Sequence, residues 1–283
     1  ASVLVWLLLA ATAAAGGLYA YWSKRVAVDK SVSPLPPRAP VRAWEKWLTA
    51  TVLAMLVLCC LLPLAAVWLK AAAAGSSWAV LLEAQTWAAA WNTIRFSAAA
   101  VAAATVLGVL YAAAARQMAW LRALMFLPFM VSPVCIAFGV LLLYPQWTAS
   151  LWLLTATYAL LAYPFVAKDV LAAWDGLPKD YAAAARTMGA NGFQTACYVT
   201  APLLKPALRR GLTLASATCI GEFAATLFLS RPEWQTLTTL IYDYLGRAGA
   251  DNYGRAMVLT AVLTALALAA FLLVDEAEGQ KAV

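Results

Sequence analysis

Histidine is absent from all 283 residues, charged side chains make up only 12%, and none of the eight lysines follows a glycine. Each absence removes a class of chemistry. Without histidine a zinc site loses a common ligand, and Cys59, Cys60, Cys135, Cys197 and Cys219 show no CxxC spacing, so neither a metal site nor a disulfide framework is expected. A phosphate-cradling P-loop needs Gly-Lys followed by Ser or Thr, so this polypeptide carries no Walker ATPase of its own. The acids form no paired motif inside the apolar segments, which disfavours a membrane-embedded enzyme. An ion-coupled carrier needs several intramembrane relays, and the chain offers little beyond Glu222 and Arg95. No enzymatic activity and no cofactor are expected.

What the chain has in excess is apolar surface. Hydrophobic residues reach 65% and the mean hydropathy is +0.78, far from the roughly half-apolar usage of soluble domains. The fold class expected is all-α, a polytopic transmembrane helical bundle. A crossing helix needs about 20 mostly apolar residues, and seven stretches qualify: Ser2 to Trp22, Trp47 to Leu69, Asn92 to Ala115, Ala123 to Leu143, Ser150 to Val166, Ala207 to Leu229 and Ala256 to Val274. The first has no basic region ahead of it and is followed by Lys24 and Arg25, which suits the cytoplasmic end of a true span rather than a signal peptide. It is therefore read as the end of a preceding unit in a longer polypeptide.

The net charge of +7 reports topology, not a nucleic-acid partner. If the linker is cytoplasmic, fifteen basic residues fall on the cytoplasmic side, against Lys70, Arg95, Arg231, Arg247 and Arg255 outside. That asymmetry follows the positive-inside rule. The organisation expected is a leading helix (1–22), a Pro-rich basic linker (23–46), a six-helix domain (47–274) and a cytoplasmic tail (275–283). The linker reads as an extended connector near the anionic inner leaflet. Outside, Ala71 to Trp91 reads as an interfacial helix or aromatic belt. Ser230 to Arg255 reads as a long loop that covers a pore mouth, meets a delivery protein, or joins that belt.

The longest stretch that cannot lie in a bilayer is 168–206. Within it, Asp180 to Met188 contains four consecutive alanines and then Arg186, all strong helix formers. Gly189 supplies a left-handed stop, and Asn191-Gly192 a turn. A second short helix from Phe193 is expected to end at Pro202, with Pro206 closing the unit. The result is a rigid knob on the cytoplasmic face, or else an ordinary connecting loop.

The spacing resembles the "EAA" docking loop of ABC importer permeases, which reads Glu-Ala-Ala, three residues, Gly, nine residues, Ile, one residue, Leu-Pro. Ala184 and Ala185 match the alanines, Gly189 the glycine and Pro202 the proline, while Val199 stands in for the isoleucine. Ala183 replaces the glutamate and Ala201 the leucine. The resemblance implies that the loop inserts into a groove on a separate ATP-binding subunit, with Asp180 and Arg186 as substitute charged contacts. It also implies a second permease half and a periplasmic or extracellular substrate-binding protein as partners, in the bacterial inner membrane.

The other constellation runs from Cys219 to Leu237. Glu222 falls inside an apolar run, where an ionisable group is costly unless paired or wet. Two readings stand: a gate or pathway residue, or a structural ion pair with Arg95. Ala217, Gly221 and Ala225 recur every four positions and are expected to let a neighbouring helix approach. Gly-Glu-Phe, Arg-Pro-Glu-Trp and Gly-Arg-Ala-Gly-Ala-Asp-Asn-Tyr-Gly resemble ferric-iron and thiamine permeases, and more distantly sulfate and molybdate permeases. Ferric iron is the preferred substrate on that resemblance, and the chain would be the C-terminal half of a fused permease. Pro63, Pro128, Pro133 and Pro164 are expected to kink spans, Asn92-Thr93 to cap one, and Cys59-Cys60 to face lipid or pack as small apolar surface.

Overall fold

The structure, a computed structural model, describes residues 42–147 and 150–275. The expected leading span, most of the linker and the tail after Asp275 lie outside the described residues. Every regular element among the described residues is helical.

Helix α1 runs Ala43–Ala72 and contains Pro63. Its exposed length includes Cys59 and Cys60, as a lipid-facing surface would. A 3₁₀ stretch, Gly75–Leu82, turns the chain into α2, Ala84–Gln117. The single interfacial helix expected over Ala71 to Trp91 therefore does not form. The end of α1, the 3₁₀ turn and the start of α2 share those residues, and the indoles of Trp78 and Trp87 donate to the Ala71 and Leu81 carbonyls at 2.9 Å each.

The span expected from Ala123 to Leu143 is three pieces: α3 Ala119–Leu124, α4 Leu127–Met130 and α5 Pro133–Leu143. Pro128 and Pro133 sit in the first turns of α4 and α5, where a missing N–H costs nothing, so they start helices instead of kinking one. Helix α6, Leu151–Gly176, continues well past the expected Val166 with Pro164 buried inside it. Then come α7, Lys179–Thr187, and α8, Gly192–Thr195, which passes through a π-helical stretch at Ala196–Thr200 into α9, Ala201–Ile220. After a break come α10, Ala224–Leu229, α11, Leu237–Gly246, and α12, Ala250–Asp275.

Two further results differ from the sequence expectation. The second docking helix does not stop at Pro202. The Ala201 N–H reaches the Ala196 carbonyl in a wider turn, and this π turn leads the chain into Pro202 in the first turn of α9. The span expected from Ala207 to Leu229 is interrupted at Gly221–Phe223. Among the described residues, four helices, α1, α2, α6 and α12, are long and apolar enough to cross a membrane unbroken.

Helix α6 is central, packed between α2 and α9. On α2 the facing positions are Ala100, Ala104, Gly108 and Ala112, every fourth residue, which gives a smooth groove and short interaxial distances. A Cβ placed on Gly108 would come within 2.7 Å of the Val166 Cβ, and one on Gly211 within 2.7 Å of the Val166 Cα. At Gly221 the nearest atom would be its own helix's Ala217 carbonyl at 3.5 Å. Close approach is thus made at Gly108 and Gly211, not on the face expected from Gly221. A second core joins α12, α11, the end of α1 and the 3₁₀ stretch.

Candidate functional site

The elbow between α7 and α8 is built by backbone chemistry. The Gly189 N–H donates to the Arg186 carbonyl at 2.9 Å and Ala190 N–H to the Ala185 carbonyl at 3.1 Å, the paired bonds of a Schellman stop. Gly189 adopts the left-handed conformation this needs, with φ at +87°. Asn191 is extended, not part of a left-handed turn. Its side chain accepts from the Gln194 N–H at 2.8 Å, and Gln194 Oε1 accepts from the Asn191 N–H at 2.9 Å, a reciprocal cap that starts α8. Asp180 in the first turn and Arg186 in the last complement the α7 dipole.

Of the residues singled out from sequence, Ala185, Gly189 and Val199 line a groove at this elbow, together with Met188, Gln194 and Tyr198. Ala185 is buried, while Asp180, Ala184, Arg186 and Pro202 are exposed. Pro202 lies beyond the π turn and does not line the groove. Three side chains to which the spacing does not point stand out into solvent: Met188 is 83% exposed, Phe193 77% and Tyr198 79%. Their signal was present, as large apolar residues inside an otherwise polar stretch.

The second location is the interruption between α9 and α10. Glu222 sits in it, only 8% exposed. Its Oε1 accepts the Ala225 N–H at 3.1 Å, satisfying one of the open amides at the start of α10. Its carbonyl accepts from Thr238 Oγ1 at 3.0 Å and from Tyr158 Oη at 3.3 Å, and Tyr158 also shares a hydrogen bond with Thr226. Elements α6, α10 and α11 thus meet at one break.

Arg95 is not brought to this break. It is exposed, its guanidinium lies 4.7 Å from the Phe96 ring centre, and no ion pair links it to Glu222 among the described residues. The expected Arg95–Glu222 pair is replaced by backbone capping. Arg231 and Arg247 resemble Arg95, exposed and set against the rings of Trp234 and Tyr244.

The segment 230–255, expected as one long outer loop, is instead a short loop with a 3₁₀ turn, then α11 and the start of α12, and that short loop is pinned from an unexpected place. Asn92 and Thr93 do not cap a helix; they are buried within α2. Asn92 Nδ2 donates to the Glu233 and Gln235 carbonyls at 3.0 and 2.9 Å, and Thr93 Oγ1 accepts the Leu237 N–H at 2.9 Å. A clasp nearby joins Arg255 to Glu83 at 2.6 Å and to Asp251 at 2.8 Å, with Tyr244 Oη donating to Glu83 at 2.9 Å. Burial pushes the Tyr244 phenol above its ordinary pKa, and the Arg255 hydrogen bond acts in the opposite sense.

Residues 104–275 match the family described as "Binding-protein-dependent transport system inner membrane component". The chain is 29% identical over 203 residues to the putative 2-aminoethylphosphonate transport system permease protein PhnV of Salmonella typhimurium, covering 69% of this chain and 72% of that protein. It is 32% identical over 164 residues to the sulfate transport system permease protein CysT of Escherichia coli, covering 52% and 58%. It is 30% identical over 111 residues to the molybdenum transport system permease protein ModB of Haemophilus influenzae, covering 38% and 48%. Among solved structures, a bacterial ABC transporter involved in the import of the acidic polysaccharide alginate superposes with a TM-score of 0.67 at 18% identity. That match covers 86% of this chain and all of the other, a likeness of fold.

Proposed function

The chain belongs to the inner membrane components of binding-protein-dependent transport systems, and from that membership we propose that it carries a small oxyanion or phosphonate through the bacterial inner membrane. It is a multi-pass permease subunit of an ABC importer, a transporter and not an enzyme. ATP hydrolysis belongs to a separate subunit, which binds at the α7–α8 elbow. In this reading Ala184, Ala185 and Gly189 give the elbow its shape, Asp180 and Arg186 provide its charged contacts, and Pro202 sets the start of α9. Met188, Phe193 and Tyr198 are the apolar anchors.

The observation that carries the reading is that elbow. A glycine-stopped helix pair exposes three large apolar side chains, as expected of a hot spot awaiting a groove. From Gly192 to Ile220 the chain stays helical through the π turn, a path of about 40 Å at 1.5 Å per residue. Movement at the elbow therefore has a stiff route to the Glu222 break. We place the translocation path beside that break, with Glu222 lining it and Arg95 near its outer mouth. A binding protein delivers substrate to the outer loop, and a second permease half completes the pore.

Substrate class rests on two supports. The relatives named above belong to phosphonate, sulfate and molybdenum systems, which favours an oxyanion over the ferric iron or thiamine suggested by the motifs between Cys219 and Gly254. Arg95, Arg231 and Arg247 stand exposed on the outer side with aromatic rings behind them and would attract an anion. The test is ATPase activity of the reconstituted complex, stimulated by binding protein loaded in turn with sulfate, molybdate, 2-aminoethylphosphonate or ferric ion. Stimulation by one of the anions is expected. Stimulation by ferric ion alone would overturn the substrate class, and uptake that persists without any ATPase subunit would overturn the mechanism.

A further inference from the structure

We propose that Arg122 and Asp175 are positioning residues that carry motion of the ATPase-docking loop into the segmented crossing α3–α5. The inference rests on the permease reading above. Asp175 is the penultimate residue of α6, immediately ahead of the turn into α7. Arg122 lies in α3 and grips it with both arms of its guanidinium: Nη1 is 2.7 Å from Oδ2 and Nη2 is 3.2 Å from Oδ1. The same side chain donates through Nε to the Ala115 carbonyl at 3.0 Å, one of the open carbonyls in the last turn of α2. Arg116 adds a weaker contact, 3.9 Å from Asp175 Oδ1, with its guanidinium 4.7 Å from the Trp174 ring centre.

A single exposed ion pair contributes little. This one is bidentate and fixed by a third hydrogen bond, so it specifies orientation as well as attraction. It joins the root of the docking loop to a crossing made of three separate helical pieces. Breaks at Met125–Phe126 and Val131–Ser132 divide that crossing into short pieces, which can shift against each other at less cost than a continuous helix. Its outer piece, α5, packs on α10, where Phe138 meets Phe228 edge-on with ring centres 6.0 Å apart. Since α10 lies just beyond the Glu222 break, the contacts run from docking loop through Asp175, Arg122 and α3–α5 to α10. This is a second route to the break, parallel to the continuous helix that leads into α9.

The test uses the complete complex in lipid nanodiscs, with native cysteines replaced and a fluorophore on Leu143→Cys at the exposed outer end of α5. Trapping with ATP and vanadate is expected to change the signal in this parent. In Arg122→Gln and in Asp175→Asn the change should fall about five-fold or more, the loss expected for one well-aligned pair. Nucleotide trapping and melting temperature should stay at parent values. The double variant should lose no more than either single one, because both remove the same contact. Arg122→Lys, which keeps charge without the fork, should fall between. Tyr111→Phe removes another tether of α3, the 2.6 Å bond to the Leu121 carbonyl, and should respond like the parent. A full response in Arg122→Gln and Asp175→Asn overturns the proposal. So does a loss that tracks melting temperature or assembly, or one that Tyr111→Phe reproduces; each would make the pair a structural clasp. If Arg122→Gln does not assemble, Arg122→Lys decides by the same criteria. A parent complex that traps no nucleotide would instead overturn the permease reading itself.

Discussion

Gly211 on α9 lies against the backbone of Val166 on α6 so closely that a Cβ there would stand 2.7 Å from the Val166 Cα. The neighbouring atom is main chain and cannot rotate away. Gly211→Ala should therefore destabilise the protein by about 1–3 kcal/mol, the usual range for overpacking. Melting in detergent by intrinsic fluorescence would measure it. A Cβ on Gly108 would stand 2.7 Å from the Val166 Cβ, 2.8 Å from its Cγ1 and 3.1 Å from the Ala167 N; Val166→Ala removes only the Cγ1 contact, so Gly108→Ala should remain destabilising in that background.

Gly189 has open space around it but a φ of +87°. A bulky residue such as valine should therefore cost about 1–2 kcal/mol in local strain without a clash. Gly189 is exposed and the elbow residues belong to neither core, so the melting temperature should change little. What should fall is the ATPase activity stimulated by loaded binding protein. Full stimulation with Gly189→Val would remove the elbow from the coupling path.

Asn92→Leu removes the donor to two carbonyls of the outer loop, those of Glu233 and Gln235. Leaving these part-buried acceptors without a partner costs about 1 kcal/mol, the low end of the range for buried groups. The loop between Ser230 and Thr236 should become a protease target in the variant and resist cleavage in the parent. Equal cleavage rates would show that Thr93 and the Gln85–Gln235 hydrogen bond hold the loop unaided.

Glu222 separates two roles. As the acceptor for the Ala225 N–H it can be replaced by glutamine, which keeps an oxygen, whereas alanine loses it at about 1 kcal/mol. As a pathway carboxylate it tolerates neither. Parent-like uptake in Glu222→Gln with reduced uptake in Glu222→Ala would assign it to capping. Loss of uptake in both, with unchanged melting of the glutamine variant, would assign it to the path.

Much of the architecture is legible in the sequence. The apolar runs at Trp47–Leu69 and Ala256–Val274 lie within α1 and α12, because a window of about 20 apolar residues has few alternatives to a helix. Gly189 was legible as a stop, since few other residues enter the left-handed region. The failures are also physical. Asn92-Thr93 read as a cap because Asn and Thr favour caps. Their true partners, Glu233 and Leu237, lie more than a hundred residues away, and no local pattern encodes them. Arg95 looked like the partner of Glu222 because both fall near the outer ends of their spans, yet adjacent depth does not make adjacent faces.

Composition and spacing alone determined that this chain is an all-helical membrane protein without a P-loop of its own, and that the elbow turns at Gly189. Those properties follow from local chemistry: apolar length, a missing lysine motif, and one residue able to hold a positive φ. Tertiary structure decided where helices break and what the breaks hold. Whether Pro133 kinks or starts a helix, whether Glu222 pairs with arginine or caps an amide, and which glycines meet Val166 depend on neighbours brought close by packing.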